Sequence, residues 1–463
     1  MAKTEMNTEV RAAYRTTLLG RFDERYLSRP HVDKVLWGIL LAVLVTAGVQ
    51  AAVQIRKVDS SAFRATGERR KTALGRWMPD AHALTAGENP YGPGHWFPTP
   101  PLVLICLVPF TKMPLALAGG LWAALKIAGV ALAFTLLHRS LAKKGVVVPT
   151  GVWLMTAIFG TRAVFSDIQH ANVNTFVLIW IALAWTLFMK GKDFWVGIFL
   201  VAAIVTKITP ALLLLYFVYK RAWRVCLGGL VGIALFFFIV PGISLGFTRN
   251  WALLTSWYHM LVEPFAREGY AALEIANQSL YGVLVRLLSN AGILSIVHMP
   301  DQQAWASGME EMARPATALG RLLRPAITLT ALAALAWLCR AKTAKRQDPR
   351  LLLEFGLVLL AMLLLSERTW KHHATTLPLI YLGIWYALTC LPWNEKFRSW
   401  VVAGLGVQLV LLVGLSEGLV GDRVADMALD GGLFCWGLIL CFVQSAMLVK
   451  ALEAREPQPS AIG

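Results

Sequence analysis

Apolar runs close to the ~20 residues that a bilayer demands alternate with short polar connections along almost the whole chain. The clearest runs are 35–54, 115–137, 148–165, 173–189, 222–246, 324–341, 351–365, 374–393, 399–416 and 430–450. Each predicts a membrane helix. The run 101–112 is too brief to cross, so an interfacial or re-entrant piece is expected there. The stretch 194–218 has basic groups at both ends, KGKD before it and YKRAWR after it, which predicts two short helices bent near Lys207 and Pro210. One tilted, kinked helix is the alternative.

Orientation follows from lysine and arginine bias. Arg11, Arg15, Arg21, Arg25, Arg29 and Lys34 place the first segment in the cytoplasm, and KTAKRQDPR, the most basic short loop, fixes the frame again late in the chain. The count is about twelve crossings with both ends inside. Residues 1–34 form a cytoplasmic amino-terminal segment, 35–450 one transmembrane domain, and 451–463 a cytoplasmic tail. Two extracytoplasmic pieces stand out, a structured first loop at 55–112 and a large segment at 247–323. In the first loop Arg64, Arg69, Arg70, Lys71 and Arg76 oppose the charge rule, and an anion bound outside is the preferred account.

Composition agrees with this class. Hydrophobic residues make up 57% of the chain and charged ones 15%, and the mean hydropathy is +0.58, too apolar for a soluble domain of this length. The formal charge of +17 lies mainly in short loops, so it reads as a topology signal with no nucleic-acid partner implied. The six cysteines all sit in apolar segments without ligand spacing, so neither a disulfide framework nor a metal site is expected.

The polar chemistry collects on the outer side of this frame. Its centre is SERTWKHH, Ser366 to His373, which sets a carboxylate, a guanidinium, an ammonium, two imidazoles and an indole between two apolar runs. Charges at bilayer depth cost about 2.5–3.5 kcal/mol each, which favours a functional cluster over decoration. Snorkelling of Arg368 and Lys371 to the headgroups is the plainer alternative. The same face carries the turn SDIQHANVN with Asn172 and Asn174, the Lys207 bend, and Asn277 and Gln278 before Ser279. The two amides equally suit capping of the helix that starts there. Two carboxylates are candidate general bases: Asp59, a few residues past the first span, and Asp80, which also suits the start or cap of an interfacial helix. Lys207 and Arg368 suit phosphate contacts, and His372 or His373 a proton donor, phosphate ligand or sugar contact. Trp370 is read with the site, although Trp77, Trp96, Trp251, Trp257 and Trp370 all fit an interfacial aromatic belt. Such a set suits an enzyme acting on an anionic lipid-linked substrate; a transporter or flippase of polyprenyl-linked sugars is the alternative, against which stand the lack of a clear repeat and few mid-span ions.

The order of motifs also carries a resemblance. The segment ENPYGPGHWFPTPPLVLICLVPFTKMPLALAGGLWAALK resembles the glycine-x-x-tyrosine, Pro-Pro-Leu, Pro, Trp pattern of the family-87 glycosyltransferases, membrane enzymes of the GT-C class. ANVN, at Ala171–Asn174, is similar to that family's Gly-Gln-x-Asn, with Ala and Asn in place of Gly and Gln. KITP is similar to its Lys-x-x-Pro, NQS to its Asn-Gln-Ser, and TWKHH to its Ser-Trp-x-His-His. DSSAF and GRWMPDAHAL resemble a branch found in planctomycete-type bacteria. The resemblance covers about residues 55–390. It implies an all-α, polytopic GT-C fold and a hexosyltransferase that moves a sugar, mannose above all, from a polyprenyl-phosphate donor to a glycolipid or glycan acceptor. It further implies an inverting reaction without a cofactor, in the inner (plasma) membrane with the site facing outward. The family's base is an aspartate just past the first span, which carries over to Asp59. The basic stretch ATGERRKTALG between Asp59 and Gly87 departs from the family spacing and keeps Asp80 as the second candidate.

Overall fold

The computed structural model describes residues 8–27, 29, 31–58, 72–92, 95, 97–299, 312–342 and 345–455. It is an all-α polytopic membrane protein. Among the described residues six helices are long and apolar enough to cross a bilayer: Lys34–Val53, Leu115–Lys143, Trp223–Leu245, Ala318–Leu338, Glu395–Gly414 and Leu433–Glu453. Shorter helices, Thr150–Gln169, Asn174–Met189, Asp193–Thr206, Ala211–Tyr219, Pro349–Leu364 and Leu377–Cys390, pack among them.

The interior explains why the runs 351–365 and 374–393 are apolar without a polar face. Every residue of Leu377–Cys390 is buried, as is nearly all of Pro349–Leu364. A helix covered all round has no need of a polar stripe. This hairpin forms the centre of the main core. Around it, Asp193–Thr206 and Trp223–Leu245 approach through glycines: a Cβ at Gly228 would collide with the Phe194 carbonyl, and one at Gly197 with the Val225 carbonyl. Small residues are what permit such contact between membrane helices.

The connections gather at two opposite ends. At one, Asp193 pairs with Arg346 at 2.6 Å, Lys220 Nζ donates to the Ala341 carbonyl at 2.8 Å, and the Asp23 carboxylate accepts from Gly151 N at 3.1 Å. At the other end the turns around Asn172, Lys207, Gln278 and Thr369 meet. The expected bend is there, because the helix stops at Thr206, Lys207 is extended, and a new helix starts after Pro210. The run 101–112 is a short helix, Pro101–Leu107, continued by a tighter turn to Lys112.

Three details differ from the sequence expectations. Asp80 neither begins nor caps its helix: Ala73–Ala86 starts after Thr72, and Asp80 lies buried in its middle. The segment 247–323 holds, besides helices, a small antiparallel sheet in which Met312–Pro315 lies between Ala271–Ala272 and Ile296–His298. Helix interiors also carry more charge than the apolar runs suggest, since Lys126 and Glu354 are both fully buried.

Candidate functional site

The turn from Ser366 to Thr376 crowns the central hairpin. Polar bonds from three directions fix it. Asn277 Oδ1 accepts from Thr369 N at 2.9 Å, Gln278 N donates to the Thr369 carbonyl at 2.7 Å, and Thr369 Oγ1 donates to the Leu363 carbonyl at 2.6 Å. Glu274 holds the next two side chains: Arg368 Nε lies 2.8 Å from Glu274 Oε1, and Trp370 Nε1 donates to the same oxygen at 2.9 Å.

Asn277 and Gln278 are completely buried, with their amides engaged by the chain itself. Asn277 Nδ2 donates to the Ala272 carbonyl at 2.8 Å, and Gln278 Nε2 donates to the Ile275 and Leu429 carbonyls, both at 2.8 Å. The helix cap is Ser279, whose hydroxyl accepts from Gly282 N. These two amides tie the turn to the outer segment.

The histidines face different neighbours. His372 is buried and stacks on His170 with centroids 4.9 Å apart. Asn172 Oδ1 accepts from Val173 N at 2.7 Å, so its amino group is the one that lies 3.2 Å from His372 Nε2, where it donates to a neutral ring. His373 Nδ1 lies 3.3 Å from Trp370 N, which donates to it, and 3.1 Å from the Arg368 carbonyl, so the ring is held against the backbone of its own turn. Burial, aided by the neighbouring cations, lowers both histidines well below the usual value and keeps them neutral.

A small cavity opens beside this turn. Asn174, Lys207, Thr209, Ser366, Thr369, His373 and Thr376 line it with polar groups over a floor of Val177, Met362 and Leu363. Lys207 Nζ donates to Asn174 Oδ1 at 3.1 Å. Burial lowers the Lys207 ammonium to about 8, with Glu367 and Asp167 opposing that shift and Arg368 adding to it. Thr376 Oγ1 is buried and has no partner among the described residues, so a hydroxyl is on offer at the wall.

Beneath the cavity lies an ion pair that sequence reading passed over. Lys126 Nζ and Asp167 Oδ2 are 2.8 Å apart, and both side chains are fully buried. A lone lysine inside the apolar helix Leu115–Lys143 was the available signal, because an intramembrane charge requires a partner. Glu274 and His170 were also missed, and no spacing pattern marks them.

Asp59 lies outside the described residues, one position past the helix Val32–Val58. Arg64, Arg69, Arg70, Lys71 and Trp96 lie outside them as well. Asp80 is buried, with Oδ1 2.9 Å from His95 Nδ1. Its helix reaches the same end of the bundle, where Ala73 N donates to the His170 carbonyl at 2.8 Å and Trp77 packs in one cluster with Ala171 and Val173. Among the described residues no group of His, Cys, Asp and Glu forms a metal site.

A buried helical hairpin, a broken helix and a polar cavity at one end of the bundle define a polytopic membrane protein with a candidate site at that end. Within that class the chain belongs to glycosyltransferase family 87, whose model matches residues 97–367. The match takes in Lys126, Asp167, Asn172, Asn174, Lys207, Asn277 and Gln278 and ends just before Arg368. No curated protein and no solved structure matches the chain.

Proposed function

We propose that the protein transfers a hexose, with mannose the first candidate, from a polyprenyl-phosphate donor to a glycolipid or glycan acceptor at the extracytoplasmic face of the inner (plasma) membrane. The observation that carries the reading is the cavity at the helix break, where one ammonium, Lys207, stands among amide, hydroxyl and neutral imidazole groups in a family-87 chain. One cation suits a phosphodiester, and the neutral groups suit sugar hydroxyls.

In this reading the acceptor hydroxyl oxygen attacks the anomeric carbon as the bond from that carbon to the phosphate oxygen breaks. The polyprenyl phosphate departs with the bonding electron pair, the anomeric centre inverts, and the acceptor's proton passes to a carboxylate. Asp59 takes that role because its position at the end of the first span is where a headgroup bond is presented. Asp80 is the second candidate, held beside His95. Lys207 steadies the leaving phosphate, and His373, with the free Thr376 hydroxyl, contacts phosphate or sugar. Arg368 is paired with Glu274, which makes it the support of Trp370 and the turn, and Asn277 and Gln278 act at the same remove.

The test is transfer of label from polyprenyl-phosphate [14C]mannose by the purified protein and its Asp59→Ala and Asp80→Ala variants. Loss of transfer in Asp59→Ala with donor binding intact supports the assignment. Full activity there, with loss only in Asp80→Ala, moves the base to Asp80.

A further inference from the structure

Lys207 is the cation of the cavity, and what fixes its place lies one layer deeper. Its ammonium donates to Asn174 Oδ1 at 3.1 Å. That oxygen faces Lys207 because the other half of the amide is already engaged: Asn174 Nδ2 donates to Asp167 Oδ1 at 2.9 Å. A flipped amide would turn its oxygen toward a carboxylate and its amino group toward an ammonium. Two attractions would become two repulsions.

Asp167 is itself held firmly. Besides the Asn174 amide it accepts from Asn174 N at 3.2 Å, Thr175 N at 3.0 Å, Thr175 Oγ1 at 2.6 Å and Lys126 Nζ at 2.8 Å. The main chain of Asn174 is pinned from the far side, where Thr375 Oγ1 donates to its carbonyl at 2.8 Å. Lys126 and Asp167 are wholly buried, and a buried ion pair adds little stability over apolar residues of the same volume. What this pair supplies is direction, an acceptor with one fixed orientation behind the cavity wall.

We propose that Asp167, held by Lys126, is a positioning residue for sugar transfer: through the Asn174 amide it sets where the Lys207 ammonium meets the donor. The inference rests on the reading of Lys207 as the donor's phosphate contact. Asp167 touches no substrate and acts through its neighbours. The charged and titratable groups that face Lys207 are Asp167 from Thr150–Gln169, and Glu367, Arg368, His372 and His373 from the turn. Of these, Asp167 and Glu367 favour the protonated lysine, so removing the Asp167 charge also lets the ammonium lose its proton at lower pH.

The experiment is a double-mutant cycle on the full-length protein, reading kcat and donor KM as functions of pH for Lys207→Ala, Asp167→Asn and the double variant. Asp167→Asn raises donor KM by about tenfold to a hundredfold, what the loss of a hydrogen bond to a charged group is typically worth. It also moves the alkaline rise in donor KM below the wild-type position. In the Lys207→Ala background the same change adds nothing beyond about twofold. Losses that add in full, or a wild-type pH profile in Asp167→Asn, overturn the inference and leave the reading of Lys207 intact. A Lys207→Ala enzyme with wild-type donor KM sinks that reading and this inference with it. Should Asp167→Asn fail to fold, Asn174→Ala keeps the Lys126–Asp167 pair and enters the same cycle, where additivity with Lys207→Ala again overturns the inference.

Discussion

Replacing Lys126 by methionine isolates the buried charge on which the cavity wall is built. Methionine fills much of the lysine stem, so the change leaves packing nearly intact and strands Asp167. Removing one partner of a fully buried ion pair costs about 3–5 kcal/mol, because the remaining charge has neither water nor counterion. Asp167 keeps two backbone and two side-chain donors, from Asn174 and Thr175, which places the cost near the lower end, about 3 kcal/mol. That is a shift of about a hundredfold in the folded-to-unfolded ratio. Reversible unfolding in mixed detergent micelles, followed by tryptophan fluorescence, measures it. The double variant Lys126→Met/Asp167→Asn, with both charges gone, recovers part of the loss. If Lys126→Met lies within about 0.5 kcal/mol of wild type, the pair is not dry and the reasoning from its burial fails.

Other perturbations address the rest of the site. Since the Lys207 ammonium, ordinarily near 10.5, is lowered to about 8, the charge proposed to bind the donor is present below that value and fades above it, so donor KM is expected to rise about tenfold per pH unit beyond pH 8 while kcat at saturating donor changes less. The same lowering acts on folding with the opposite sign, since between 8 and 10.5 the unfolded chain binds the extra proton and stability rises with pH there. Glu274→Ala removes the contacts it makes to Arg368 and Trp370 together, a loss of about 1.5–3 kcal/mol of local order for bonds to a charged group, seen as faster tryptic cleavage at Arg368 and Lys371. Gly228→Leu drives a side chain into the Phe194 carbonyl and costs about 1–3 kcal/mol or more, read as loss of a monodisperse peak in detergent.

Much of the fold was legible because the bilayer leaves few solutions. Apolar runs marked the helices to within a few residues, and KITP marked the break at Lys207, because proline after a lysine in an apolar run admits few other conformations. What the sequence hid was pairing across space. Asn277 and Gln278 read as substrate contacts or caps, yet both amides bind backbone carbonyls, those of Ala272 and Ile275 close in sequence and those of Glu367 and Leu429 at 90 and 151 positions' distance. Asp167 stood in plain view in SDIQHANVN and Lys126 in an apolar helix, but 41 positions separate them, and only the packed structure brings them to 2.8 Å. Asp80 misled for a local reason: aspartate before a helical stretch suits a cap, whereas here the helix had begun about two turns earlier at Ala73.

The proposed lipid-linked donor is tested most directly by reconstitution. Purified protein reconstituted in liposomes is incubated with polyprenyl-phosphate [14C]mannose and a lipid and glycan extract of its host, and label in new product is measured together with free polyprenyl phosphate. Label appearing in one product in equal amount to released polyprenyl phosphate is the predicted result. Transfer from a nucleotide-linked sugar alone, with every polyprenyl-phosphate sugar left intact, would contradict the account.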